Sequence, residues 1–219
     1  IAFYPEVSEK TIYIYPAIEA GFSKKQDLAV LKKYNIHKKY IISLSTLEPR
    51  KNMKTLLAAF AQFKEQKNTE HLLVLAGKGG WKNKDFLRML EKHPNRKDII
   101  MTGYVERAFL PALYSGAEAF VFPSHYEGFG FPVLEALSCE TPCIVSEVSS
   151  LPEVGGNAVL YFNPDSVTDL AAKIERLLSD DALREKLRKE SLKQARKFNL
   201  QKFGQDFINI FENEEKKKS

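Results

Sequence analysis

No apolar run in this 219-residue chain approaches the roughly 20 residues that a membrane-spanning helix needs. A signal peptide is not visible either, because Ile1-Ala2-Phe3-Tyr4-Pro5 has no charged leading region and no cleavage site. The missing initiator Met suggests a fragment of something longer. Cysteine is scarce: Cys139 and Cys143 flank Thr141-Pro142 and have no partners at metal-ligand spacing. They read as buried reduced thiols, which fits a cytoplasmic setting. The four histidines (His37, His71, His93, His125) are scattered and no Asp-x-Asp cluster lies near a strand end, so neither a metal nor a cofactor is expected. Gly77-Lys78-Gly79-Gly80 lacks the Gly-Lys-Ser/Thr ending of a nucleoside triphosphatase loop. Internal repeats and low-complexity tracts are absent. Aromatic residues are not interleaved with the basic ones, as a single-strand nucleic-acid surface would require. Nucleic acid is disfavoured as a partner.

What is present is ordinary for a globular chain: 44% apolar and 28% charged residues, enough length for one large domain with a sizeable core. Charge is uneven. Residues 1–110 hold 20 Lys/Arg against 11 Asp/Glu, a balance of +9, and residues 111–219 hold 13 against 17, a balance of −4. A basic half can attract phosphates or an anionic membrane surface, so peripheral contact at the inner face of a membrane is left open. The blander account, a solvated lysine-rich surface, covers most of these residues.

Short apolar runs alternate with amphipathic stretches, the pattern of an α/β fold with a parallel sheet and helices on both faces. Strands are predicted at Tyr40–Leu44, Leu72–Ala76, Ile99–Thr102, Ala119–Phe122, Cys143–Ser146 and Val159–Phe162. Their centres are apolar without alternation, as in strands buried on both faces. Helices are predicted at Met53–Gln66, Lys84–Lys92, Phe109–Ser115, Val133–Ser138, Val167–Leu178 and Asp181–Phe198. Asn52 is placed to cap the first of these, and Asp165 or Ser166 the fifth. The segment Lys10–Pro16 reads as a short strand and loop, and residues 213–219 as a frayed polar tail. The domain reading is thus a lead-in over 1–35, a Rossmann-like domain over 36–212 and the tail.

The chemistry concentrates in Glu127-Gly128-Phe129-Gly130-Phe131-Pro132-Val133-Leu134-Glu135. Two glycines on a strand-to-helix turn let backbone approach a ligand, and the following helix directs its free N–H groups and positive dipole end at it. Carboxylates accept hydrogen bonds from hydroxyls but repel phosphates. A ligand with hydroxyls and phosphate together, such as a sugar nucleotide, matches that mixture. Arg50 and Lys51 follow the first strand, just before a helix. Cations are unfavourable at a helix N-terminus unless an anion is present, and Arg adds a bidentate fork for a diphosphate.

The Glu127–Glu135 segment resembles the glutamate-x7-glutamate signature of the retaining glycosyltransferases of family 4 (group 1), which have the GT-B fold. Ser45-Thr46-Leu47-Glu48-Pro49-Arg50-Lys51-Asn52 is similar to that family's phosphate-binding loop, and Thr102-Gly103-Tyr104-Val105 to the turn that receives the base. Pro123-Ser124 before Glu127-Gly128, and Glu135-Ala136-Leu137, fall in the same order, and the likeness runs from about Thr11 to Glu212.

The resemblance implies the C-terminal, donor-binding half of a two-domain enzyme, with residues 1–35 as the interdomain crossover and the N-terminal acceptor domain missing. It implies a nucleotide-sugar donor, GDP-mannose-like or a UDP-sugar, and a glycan or glycolipid acceptor. Lys51 would contact the diphosphate, with Arg50 in place of an arginine that many members carry where this chain has Ser45 and Thr46. Glu127 would contact the donor sugar and Glu135 the ribose hydroxyls. Val105 would receive the base, and Gly128, Phe129, Gly130, Phe131 and Pro132 would lie near sugar and diphosphate. Each has a plainer alternative: a helix-dipole partner for Glu135, a solvated loop carboxylate for Glu127, a strand end for Val105. Gly77–Gly80 is a structural turn or a contact, and His125 a rim or surface residue. Other readings are a GT-B synthase or phosphorylase of another class, or a non-catalytic binding module.

Overall fold

The computed structural model describes residues 11–216, with side chains to residue 212. Chain contacts divide it into two compact units, a larger one spanning Ala20–Arg196 and a smaller one formed by the described residues before and after it.

The larger unit is built on six strands: β1 (Tyr40–Leu44), β2 (Leu72–Ala76), β3 (Ile99–Gly103), β4 (Ala119–Phe122), β5 (Cys143–Ser146) and β6 (Val159–Phe162). All pair in parallel, in the order β3-β2-β1-β4-β5-β6. The predicted strand bounds hold apart from one residue, Gly103, added to β3. β1, β2, β4 and β5 are buried almost throughout, which is why their sequences run apolar without alternation.

Eight helices belong to this unit: α1 (Leu28–Lys33), α2 (Met53–Gln66), α3 (Lys84–Glu91), α4 (Leu110–Gly116), α5 (Phe131–Ser138), α6 (Leu151–Gly155), α7 (Val167–Ser179) and α8 (Asp181–Ala195). On one side of the sheet Ile41, Leu73, Leu75, Val121 and Ile144 join Leu56, Leu57 and Phe60 of α2 and Leu170 and Ile174 of α7 in a single core. The alternate strand positions face α4, α5 and their neighbours: Tyr40 donates its hydroxyl to Leu113 O at 2.6 Å, and the Tyr114 and Phe120 rings meet edge-on at 5.3 Å.

Two local expectations are corrected, and one pair of alternatives is decided. Asn52 precedes α2 but does not cap it: its backbone is left-handed (φ 54°), and its side chain instead bonds Pro164 O and Thr55 Oγ1. Ser166, rather than Asp165, caps α7 by accepting from Asp169 N. The helix predicted to run to Phe198 stops at Ala195 in a 3-10 turn.

In the smaller unit, the described part of the predicted lead-in strand, from Thr11 to Pro16, has no strand geometry; Lys10 lies outside the described residues. A helix not predicted from sequence, α9 (Leu200–Lys216), carries a ladder of rings, Phe203, Phe207 and Phe211, at four-residue spacing. It runs into the segment predicted to be a frayed tail, of which residues 217–219 are not described. Among the described residues no helix is long and apolar enough to cross a membrane.

Candidate active site at the switch of strand order

The chain leaves β1 toward β2 on one side and reaches β4 on the other, so strand order reverses between these two neighbours. Open α/β sheets bind ligands at that crevice, outside the carboxyl ends of the strands. Two loops meet there: Ser45–Asn52 after β1 and Pro123–Gly130 after β4.

The β1 loop tightens into a 3-10 turn over Pro49–Lys51. Its position is fixed from the β2 side. Leu47 N donates to Lys78 O at 3.0 Å, and Gly80 N to Leu47 O at 3.1 Å. Gly77 has φ +133°, and a Cβ there would lie 1.9 Å from Ser45 O, so only glycine lets the two loops approach this closely. The Gly77–Gly80 segment is therefore a structural turn, and Gly77 and Lys78 also line the cleft described below.

The β4 loop is tied at both ends. His125 N donates to Arg50 O at 2.9 Å, and Glu127 N to Ser149 Oγ at 3.0 Å. The Ser150 hydroxyl lies 3.0 Å from Glu127 O and 2.9 Å from Phe129 O. Gly130, at φ 107°, turns the chain into α5, and a Cβ there would meet Leu151 Cδ2 at 2.7 Å. With no side chain at the cap and Pro132 in the first turn, nothing from the capping residue covers the opening N–H groups of α5.

These loops bring the predicted charges together. Lys51 Nζ donates to Glu127 Oε1 at 2.7 Å, and Arg50 pairs with Glu127 Oε2 at 3.1 Å. The Arg50 guanidinium also donates to Glu48 Oε1 at 2.8 Å and to Tyr126 O at 2.6 Å. Burial alone would push the Glu127 carboxyl upward. The hydrogen bond and charge of Lys51, with the bond from Arg50, outweigh it and hold the group below the usual carboxylate range. Beside them opens a cleft of about 470 Å³, lined by Arg50, Lys51, Gly77, Val105 and Pro132 among others. Ser45 also lines it, and its buried Oγ has no hydrogen-bond partner among the described residues.

Of the predicted residues, Arg50, Lys51, Val105 and Pro132 thus reach the cleft, with Val105 buried and Tyr104 exposed beside it. Glu127 touches the cleft through its two cations. Glu135 is buried in α5, where its Oε2 accepts from Tyr114 at 3.0 Å. Gly128, Phe129 and Phe131 do not line that cleft; the Phe129 and Phe131 rings instead pack edge-on at 5.0 Å. Sequence reasoning missed Glu48, Tyr114, Ser149 and Ser150. The serines were within reach, since they follow β5 at the same sheet edge; Tyr114 sits mid-helix and gave no signal. Cys139 and Cys143 are free and buried, and burial pushes the Cys139 thiol up to about 12.

The architecture is a Rossmann-like α/β domain of the kind found in GT-B glycosyltransferases. Sucrose-phosphate synthase from Thermosynechococcus elongatus superposes with a TM-score of 0.82 at 22% identity, over 97% of this chain and 55% of that one. Anabaena HepE in complex with UDP and glucose superposes with a TM-score of 0.79 at 19% identity, over 94% and 57%. The family model of glycosyl transferases group 1 matches residues 28–194, and the chain belongs to that family. Among curated relatives, the O-antigen chain mannosyltransferase B of Escherichia coli is 38% identical over 190 residues, 86% of this chain and 50% of that protein. The serotype-specific mannosyltransferase WbdA of the same species is 35% identical over 81% of this chain and 22% of its own length. The chain therefore spans half or less of these relatives.

Proposed function

We propose that this chain is the donor-binding half of a retaining glycosyltransferase of family 4, holding a nucleotide-diphosphate sugar for transfer to a glycan or glycolipid acceptor. The observation that carries this reading is the Lys51–Glu127–Arg50 cluster at the mouth of the switch-point cleft, facing the start of α5. Lys51, Arg50 and the α5 N-terminus would stabilise charge developing on the leaving nucleoside diphosphate, with no metal required. Glu127 would orient the donor sugar, Glu135 the ribose hydroxyls, and Val105 the base. The mannosyltransferase relatives favour GDP-mannose; the UDP complexes among structural neighbours keep a UDP-sugar as the second choice. The acceptor would be held largely by a separate N-terminal domain, at the cytoplasmic face of a membrane.

Calorimetric titration of the chain with GDP, UDP, ADP and their sugar conjugates, with chelator in place of metal, tests this. Selective binding of one nucleotide, lost in Lys51→Ala, is expected. A folded sample that binds none of them, alone or joined to the rest of the longer protein, sinks the reading.

A further inference from the structure

The Glu48–Asn52 turn has two sides. One forms the wall of the donor cleft. The other closes a second cavity of about 300 Å³, between the starts of α2 and α3, to which Glu48, Asn52, Asn83, Asp85, Phe86 and His125 contribute. Glu48 lines both spaces.

The chemistry of this second cavity is mixed in a particular way. Its floor is apolar, with Leu47, Met53 and Phe86 all buried. Its rim carries amides and charges, and the charges cancel: Glu48 and Asp85 stand against Lys54 and Lys82, with Lys54 Nζ 3.5 Å from Asp85 Oδ2. A balanced rim gives no net attraction for a phosphate or a metal ion. Trp81 does not line the cavity but adjoins two residues that do: it is 58% exposed, its indole N–H donates to Glu48 Oε2 at 3.0 Å, and Lys82 Nζ lies 5.1 Å from its ring centroid. Trp81 is not part of the buried core, and with Lys82 over its ring the indole has one face left to offer as a flat apolar surface beside polar groups. The volume is at the low end of ligand cavities, roughly 300–1,000 Å³, too small for a nucleotide sugar but sufficient for one sugar ring.

We propose that this cavity binds one neutral pyranose unit of the acceptor glycan, with Trp81 stacking on a neighbouring sugar and Asn83 and Asp85 bonding hydroxyls. The assignment of the bound sugar to the acceptor rests on the donor-site reading above; the site itself does not. Through Glu48, which bonds both Trp81 and Arg50, occupancy of this cavity would be sensed at the donor cleft.

Trp81 is the only tryptophan of the chain, so its emission reports on this site through its contacts with Glu48 and Lys82. The chain is titrated with an α-linked mannotriose, followed by Trp81 emission and by calorimetry, with and without saturating GDP or UDP. A saturable response with a dissociation constant on the order of 1 mM is expected. The Asn83→Ala/Asp85→Ala double variant should weaken it at least tenfold while nucleotide binding stays at the wild-type value. No saccharide binding by either readout overturns the proposal, as does equal binding by the double variant. A response to the nucleotide sugar but not to free mannotriose also overturns it, assigning the cavity to the donor. Nucleotide binding measured on the same sample keeps the two readings separable: its absence alongside a mannotriose response removes the donor reading and leaves the sugar site standing.

Discussion

Lys51 Nζ and Glu127 Oε1 lie 2.7 Å apart although 76 positions separate them in the chain. The two loops that carry them end adjacent strands, β1 and β4, so the parallel pairing of Ile41 with Ala119 and Ile42 with Phe120 sets the distance. Arg50 completes the group, and with Glu48 it holds two cations and two carboxylates. On the proposed function, an incoming diphosphate would have to draw Lys51 and Arg50 away from these carboxylates. Lys51→Ala should therefore weaken nucleoside-diphosphate binding by about ten- to a hundredfold, roughly 1.4–3 kcal/mol. Glu127→Gln releases Lys51, and should leave GDP or UDP affinity unchanged or higher while narrowing the preference for the sugar conjugate. Calorimetry on both variants checks this, and equal affinities for wild type and Lys51→Ala would contradict it.

Glu135, proposed above to bind the ribose hydroxyls, is held in place by Tyr114. The Tyr114 hydroxyl, fully buried in α4, donates to Glu135 Oε2 at 3.0 Å, and burial together with the Glu135 charge raises the phenol well above its ordinary range. The phenol stays protonated and the carboxylate stays oriented. Glu135→Gln should lower affinity for the ribonucleotide more than for its 2′-deoxy counterpart, erasing most of the difference between them. Tyr114→Phe keeps the ring but loses the bond, at a cost of about 0.5–1.5 kcal/mol in stability, plus a smaller loss of ribose discrimination. Denaturation and paired titrations with the two nucleotides separate these effects.

Gly130 sets the direction of α5. Its φ of 107° and the 2.7 Å approach of Leu151 Cδ2 to a Cβ position both penalise a side chain. Gly130→Ala should destabilise the chain by about 1–3 kcal/mol. Because the opening N–H groups of α5 would shift with it, nucleotide binding should also fall. Gly128→Ala is the control, since a Cβ there meets nothing within 4 Å, and it should leave stability within about 0.5 kcal/mol of wild type.

Sheet strands were legible in the sequence because burial on both faces leaves an unbroken apolar run, as in Ala119–Phe122. The two shortest helices were not: α1 has six residues and α6 five, the latter opening on Leu151-Pro152, too little for a period to show. The period of α9 was present in Phe203, Phe207 and Phe211 but is interleaved with Gly204 and polar residues. The cap assigned to Asn52 failed because its side chain serves tertiary contacts instead. At the site, Arg50, Lys51, Glu127 and Glu135 could each be named from local pattern. That Glu127 bonds Lys51 could not, because it depends on β4 lying beside β1 instead of β3, a fact of sheet order that no local window contains.

At the opposite edge of the sheet, Lys39, His71 and Glu118 each precede a strand, β1, β2 and β4 in turn, and parallel pairing brings them together. His71 Nε2 lies 2.5 Å from Glu118 Oε2, and Lys39 Nζ 2.9 Å from Oε1. The bond to His71 is the main cause that lowers the Glu118 carboxyl, partial burial opposes it, and Lys39 adds to the lowering; the group is brought from 4.5 to about 2. A carboxyl depressed in the folded state adds stability that is fully present above its unfolded value. That contribution is lost as pH falls from about 4.5 toward 2. Glu118→Gln should remove on the order of 1–2 kcal/mol at neutral pH, and should flatten the fall of stability across that acid window. Urea unfolding at a series of pH values measures both. Nucleotide affinity at neutral pH should not change, because the switch-point cleft lies at the carboxyl ends of the strands and this cluster at their amino ends. A variant that lost nucleotide binding while remaining folded would show that the two edges of the sheet are coupled.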